Sequence, residues 1–458
     1  IIAGGTGDSL GFGAFWIFVK TNTGWVQQGS KLRVLDFIGD GLSLGYSVDL
    51  SYDGSTAVIG GPTDNNSIGA VWVFTRTNGT WSKQAKLVGS GSVGNSRQGH
   101  SVSISNDGNT VTFSGRADNS NTGAVWVFER SGSNWTQVGN KIVGPGIGTT
   151  VQGQVSISGD GQTLIIGGIG DNGSKGAAWV YTKSNGNWIQ QGSKLTASGL
   201  QASSAALGRY VALSENGDVA AVGASNETDH GAIVLFKRTG ISWSQYGSKL
   251  VGTGVVGSFS SQQGFSVAIS DDGHTLISGG FYDNNQTGAV WVFVEAPTIT
   301  DFTPQDGTFG TEVIINGSNF TGASNVLFGG VPASSFTVNS TQISAIVGLG
   351  SSGDVKVITS GGEAVLSGFN YTITSGTSTK LNIQNIKIFP NPMQEILTIK
   401  LTEKFAIVKI YDQNGRQVFY DVVESAEYIV NLSCLDAGQY TLDIESKADK
   451  INYRLIKE

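Results

Sequence analysis

The sequence is poor in the residues from which disulfides, basic docking surfaces and membrane spans are made. It carries one cysteine, Cys434, which excludes an intrachain disulfide and any thiolate metal cluster while leaving the compartment open. Only 14% of residues are charged, against roughly 25% in an average soluble protein. The net charge is −7 and the basic residues are scattered, so nothing could neutralise a phosphate backbone and nucleic acid is not an expected partner. No apolar run reaches about 18 residues, so no segment is expected to span a membrane as a helix. Proline is scarce, at seven.

Glycine is abundant, at 67 of 458 residues, about twice the usual share. Together with plentiful Thr, Val, Ile and Trp it points to short strands joined by tight turns. The chain is too long for one core and is expected to fold as several domains.

The organising feature is a repeat. GAVWVF at 123–128 returns as GAFWIF at Gly13, GAVWVF at Gly69, GAAWVY at Gly176, GAIVLF at Gly231 and GAVWVF at Gly288, with successive starts 53 to 57 residues apart. Such a period marks a solenoid or propeller. One copy reads as an alternating strand at 46–51, a turn at Asp53-Gly54, a returning TAVIGG at 56–61, a loop with Asp64, a strand at 69–76, a turn at Asn78-Gly79 and a strand at 81–88. Asp-Gly and Asn-Gly favour the positive backbone angles of short hairpins, so each copy is a four-stranded antiparallel meander. The third strand is apolar on both faces, with Val71 and Val73 one way and Trp72 and Phe74 the other, which places it between two neighbouring sheets. Blades around an axis supply that setting. Trp16, Trp72, Trp126, Trp179 and Trp291 share the third-strand position, while Trp25, Trp81, Trp135, Trp188 and Trp243 open the fourth. A large aromatic repeated in register is expected to pack between strands and blades.

The repeat enters at a second strand and leaves after a third, which makes 22 strands. The expected fold is all-β: an incomplete propeller of four-stranded blades, six or seven when intact, and two small β-sandwiches. The chain opens at Ile1 inside a repeat, so the closing strands and a signal peptide are expected upstream.

Candidate binding residues lie on the rim. The links from each fourth strand to the next first strand, at 33–43, 89–99, 144–152, 196–206 and 252–263, differ in length and content, and variable loops on a rigid scaffold are where binding concentrates. They offer Asp36, Asp40, Arg97, Arg209, Gln262 and Gln263. Asp8, Asp64, Asp118, Asp171 and Asp283, with Asn226 in the fifth copy, sit five residues before each GA pair. They are weak candidates for a cation ring, the alternative being turns in which the side chain bonds nearby N–H groups. His100, His230 and His274 read as surface or turn residues, and no catalytic constellation is visible.

The pattern GxSVxISxDGxTxxxGG followed by DNxxxGAVWVF, as at 264–293, resembles FG-GAP repeats of integrin-type propellers and covers about 1–295. The Gly-Gly doublet is also similar to kelch blades. Calcium-binding FG-GAP members carry alternating acidic residues in the first hairpin; here Ser105-Asn106-Asp107-Gly108 offers one carboxylate, too few for roughly six to eight oxygen ligands, so no cofactor is expected and calcium remains doubtful. Residues 296–373 resemble an immunoglobulin-like IPT/TIG domain, with Gly307, Gly310, Thr311, Gly317 and Phe320 at its turns and core aromatic, and are read as a spacer. A polar linker at 374–382 follows. Residues 383–458 are similar to the C-terminal sorting domain of type IX secretion cargo on Pro390, Asn391 and Pro392, then Gly415 and Arg416, then Gly438 and Tyr440. That resemblance implies the type IX machinery as a partner, and export through the outer membrane of a Gram-negative bacterium to the cell surface or medium.

Together these features suggest a surface protein that binds a glycan or protein through one propeller rim. A polysaccharide hydrolase or lyase with its site in the channel is an alternative, as is a purely structural role. The enzyme needs clustered carboxylates or a His-based group on the innermost strands, which instead read SVDLS, SVSIS, QVSIS, YVALS and SVAIS.

Overall fold

The structure, a computed structural model, describes the chain except residues 145–151, 229, 258–259, 349–350, 373–385, 402–405, 424–426, 434 and 446–449. Cys434, the linker at 374–382 and most of the connection at 144–152 therefore lie outside the described residues.

Residues 1–295 form 22 strands in six consecutive antiparallel sheets, blades I to VI. Blades II to V have four strands in sequential order, as in blade II with Val48–Leu50, Thr56–Gly61, Ala70–Thr77 and Thr80–Leu87. Blade I starts at a second strand, Ile2–Gly5, and blade VI ends at a third, Ala289–Val294. The Asp-Gly hairpins close on themselves: Ser51 Oγ donates to Asp53 Oδ1 at 2.6 Å, the Thr56 N–H donates to Ser51 Oγ at 3.0 Å, and Gly54 sits at φ 62°. The hydroxyls of Ser105, Ser158, Ser214 and Ser270 repeat the first bond to Asp107, Asp160, Asn216 and Asp272. Each turn therefore consumes its own carboxylate or amide.

First strands lie innermost and are laced to one another. The N–H of Val102 donates to Ser47 Oγ at 3.0 Å and that of Ile104 to Asp49 Oδ2 at 2.9 Å. Val155 and Ile157 donate to the Ser101 and Ser103 hydroxyls, and Leu213 to that of Ser156, each at 3.2 Å. An innermost strand pairs on one side only, so half its N–H groups would otherwise lie unsatisfied in the wall. The serines of the SVSIS pattern supply the missing acceptors.

Blades also interlock through their faces. Val71 and Val73 of blade II pack against Trp126 and Phe128 of blade III, and Val125 and Val127 of blade III against Trp179 and Tyr181 of blade IV. The valine face of blade VI has no neighbour among the described residues. Val290 and Val292 are 66% and 60% exposed, where Val71 and Val73 are 0%.

The tryptophans pack as expected except Trp25 of blade I, which is 55% exposed, and the structure shows what accommodates the others. Trp72 and Trp126 are fully buried. The fourth-strand indoles of Trp81, Trp135 and Trp243 reach back one blade to the side-chain oxygens of Gln28, Gln84 and Gln191 at 2.8 to 3.0 Å. Trp188 lacks such a partner because Val138 stands at the glutamine position of blade III. Under each third-strand indole lies the last glycine of the second strand, Gly115 after Ser114 in blade III and the second of a GG doublet elsewhere: a Cβ at Gly168 would lie 2.6 Å from the Trp179 ring. Blade V alone has Val234 for the tryptophan, and it alone has Ala224 for that glycine.

Residues 298–371 form two facing sheets around Val313, Ile315, Phe320, Phe328 and Phe369. Residues 387–457 form a second sandwich around Met393, Leu397, Val408, Ile410 and Leu442. In it Gly415 turns between Ala406–Asp412 and Gln417–Val423 at φ 76°.

Gly168→Ala should cost about 1–3 kcal/mol by overpacking. Val234→Trp should likewise destabilise alone and recover in an Ala224→Gly background. Urea unfolding of the three variants checks this, and absence of rescue would contradict the pairing.

Candidate binding site at the channel mouth

Each first strand opens on a glycine at the rim, and the next residue points toward the axis end. In blades II to VI that residue is Tyr46, His100, Gln154, Arg209 and Phe265, above strands that are otherwise close copies. All five line one cavity of about 280 Å3, joined by Tyr210 and by Arg116 and Ile169 from the links between second and third strands. A linear row of sheets could not bring five blades to one cavity, so the blades curve around an axis and this is its mouth.

The lining is aromatic and cationic. Tyr46 and His100 lie 4.9 Å apart between ring centroids, Tyr210 and Phe265 5.8 Å, and Phe265 and Phe281 4.5 Å edge to face. The Arg209 guanidinium sits 5.1 Å from the Phe265 centroid, within cation–π range. His100 is held at both nitrogens: Nδ1–H donates to Gly153 O at 3.1 Å, so Nε2 accepts from the Tyr46 hydroxyl at 3.2 Å. Among the described residues no carboxylate lines the cavity.

The rim residues singled out in the sequence fare differently. Arg209 belongs to the cavity, and Arg97 stands exposed in an adjoining groove shared with Arg116. Asp36 is engaged elsewhere, accepting from Trp72 Nε1 at 3.1 Å and Lys83 Nζ at 2.7 Å. Gln263 is buried, accepting from Gly252 N–H at 2.6 Å and donating to Gly252 O at 3.1 Å. Gln262 turns the chain at φ 57°, and Asp40 is exposed on the rim. Tyr46, His100, Tyr210 and Arg116 escaped the sequence reading. The signal was there, since His100, Tyr46 and Phe265 hold one repeat position, and His100 is an axial residue rather than a surface or turn residue.

The acidic positions act as latches. The N–H groups of Ile38, Val93 and Val256, in the links before the first strands, donate to Asp64, Asp118 and Asp283 at 2.7 to 2.9 Å. Lys86, Lys141 and Lys194 pair with Asp64, Asp118 and Asp171 at 2.5 to 2.7 Å, and Asp8 pairs with Lys31 and Arg33 at 2.8 and 2.6 Å. In blade V the latch is Glu227, not Asn226. It accepts from Gln201 and Ala202 N–H and pairs with Lys249 at 2.7 Å. That loop is one residue shorter, so counting back from the GA pair lands one position early. Among the described residues no three His, Cys, Asp or Glu side chains converge as a metal-binding group.

In the sorting-motif stretch, Asn391 is tied to the last strand, donating to Arg454 O at 2.9 Å and accepting from Ile456 N–H at 3.0 Å. Pro390 and Pro392 flank it in cis linkage. Arg416 Nε contacts Asp412 at 3.2 Å, Gly438 opens the strand Gly438–Glu445, and Tyr440 donates to Asp436 O at 2.9 Å.

Comparison with known proteins matches residues 297–378 to the IPT/TIG domain and residues 387–458 to the secretion system C-terminal sorting domain. The latter marks export by type IX secretion to the cell surface or extracellular space. Among the described residues no helix is long and apolar enough to cross a membrane. No curated protein matches the chain. Solved structures that resemble it include a functionally unknown protein from Desulfotomaculum acetoxidans, at 12% identity and TM-score 0.41 over 61% of this chain and 75% of that one. PorZ, a surface component of the type IX secretion system of Porphyromonas gingivalis, is 13% identical at TM-score 0.32, over 98% of this chain and 63% of that one. The periplasmic gluconolactonase PpgL of Pseudomonas aeruginosa is 12% identical at TM-score 0.40, over 94% and 98%.

Two titrating groups sit in this wall with opposite pH signs. Burial, helped by Arg116 and Arg97, lowers His100 to about 4, so its contribution to stability is lost as pH falls from about 6.5 toward 4. Burial raises Asp49 to about 6; its charged form is the disfavoured one, so stability is gained as pH falls through that value. The two offset each other. Asp49→Ser, which restores the residue of blades III and IV, should raise the melting temperature at pH 7 and steepen its decline between pH 6.5 and 4. Parallel melting profiles for variant and wild type would contradict this.

Proposed function

We propose that this is an exported surface protein whose propeller, resembling FG-GAP repeats, binds an extracellular glycan or protein at the channel mouth, with residues 297–372 as a spacer. The type IX machinery would engage residues 387–458 and then release the remainder or attach it to the cell surface. The observation that carries the reading is the contrast within one blade. The inner strands, their glycines and their serine lacing repeat, while the residue just above them changes from Tyr to His, Gln, Arg and Phe. A scaffold does not require that variation, and a shaped ligand does. A non-enzymatic role is favoured because the described lining residues include no carboxylate pair for acid–base chemistry.

The full chain should capture at least one ligand from a combined glycan and surface-protein array, and Phe265→Ala with Arg116→Gln should abolish that capture while leaving the melting temperature within a few degrees. Capture that survives the double variant would move the ligand away from the channel mouth, and no capture at all would favour the purely structural role.

A further inference from the structure

The arginines of the mouth differ from those elsewhere in the propeller. Arg33 and Arg238 pair with Asp8 and Asp218 at 2.6 and 2.7 Å. Arg76 and Arg130 lie over Trp81 and Trp135 and donate to Asp53 O and Asn109 Oδ1. Arg97, Arg116 and Arg209 make no ion pair with any described carboxylate, in a chain whose net charge is −7. Two guanidiniums in one opening, with Arg97 in the groove beside it, repel each other and favour an anion. A guanidinium only donates, so the ligand must bring acceptor oxygens.

The rest of the lining narrows the class. His100 has both nitrogens occupied by Gly153 and Tyr46 and serves as a fixed neutral ring. Tyr46, Tyr210 and Phe265 offer flat apolar faces that inorganic sulfate or phosphate could not use, whereas a pyranose ring could stack on them. The cavity, about 280 Å3, is near the lower end of small-molecule sites, roughly 300 Å3 upward. That suits one sugar unit rather than a folded partner. Building on the binding role proposed above, we infer that the mouth takes a pyranose carrying an acidic group, a carboxylate or sulfate ester, as one unit of an acidic polysaccharide, with the acid on Arg116 and Arg209 and the ring against Phe265.

Isothermal titration of the full chain tests this with four probes: a galacturonate trisaccharide, a sulfated galactose trisaccharide, its neutral counterpart, and inorganic sulfate. At least one acidic saccharide should bind ten-fold or more tighter than the neutral one and than sulfate, more weakly at 300 mM than at 50 mM salt. Which of the two prevails identifies the acid. Arg116→Gln and Arg209→Gln, neither of which removes an ion pair, should each weaken binding about ten-fold without lowering the melting temperature. Equal affinity for the neutral sugar, lost on Phe265→Ala, would overturn the acidic ligand and leave the site standing. Binding that ignores the arginine and Phe265 variants would overturn both. No binding of either acidic saccharide would overturn the acidic ligand, leaving the array to judge the site.

Discussion

Lacing between innermost strands is the constraint on which the rest of this structure depends. A blade is a four-stranded sheet with two free edges, and its inner edge faces the axis with N–H groups that cannot all reach water. The hydroxyls of Ser47, Ser101, Ser103 and Ser156, and the carboxylate of Asp49, accept those N–H groups from the next blade. Each bond is worth only about 1 kcal/mol net, but an unmade one costs about 1–3 kcal/mol, so the lacing acts chiefly by excluding other arrangements. With strand starts fixed in height, the indole of one blade drops onto the valines of the one before, and a glycine beneath it gives the room.

The lacing also decides where ligand chemistry can be placed. Inside the wall a side chain must be small and must accept a hydrogen bond, which leaves little latitude. Along the rim, Asp64, Asp118, Asp283 and Glu227 clamp the links and are themselves held by lysines or backbone N–H groups. The residue after each opening glycine lies above the wall and inside the clamps. It alone is held rigidly while remaining free in kind, and so the aromatic and arginine side chains collect there.

Much of this was legible in the sequence because it is periodic. The count of 22 strands, the Asp-Gly hairpins, the doubly buried third strand and the two sandwiches all follow from spacing and alternation, and Phe320 proved a core aromatic. What was missed required either closure or partners. Tyr46, His100, Tyr210 and Phe265 are more than fifty residues apart in succession and meet only because the blades turn around an axis. Asp36 and Gln263 read as free rim polars, but an indole N–H and a backbone amide claim them. Asn226 was misassigned because a shorter loop shifts the count, which the Lys249 pairing to Glu227 reveals.

The chain of serine acceptors ends at blade V, where Tyr210 and Ala212 replace the laced positions and offer blade VI nothing. Residue-resolved amide hydrogen exchange is the most direct test. The account predicts that Val102, Ile104, Val155, Ile157 and Leu213 exchange only with global unfolding, while Val267 and Ile269 of blade VI exchange markedly faster. Equal protection in blade VI, or exchange of the laced amides at loop rates, would contradict it.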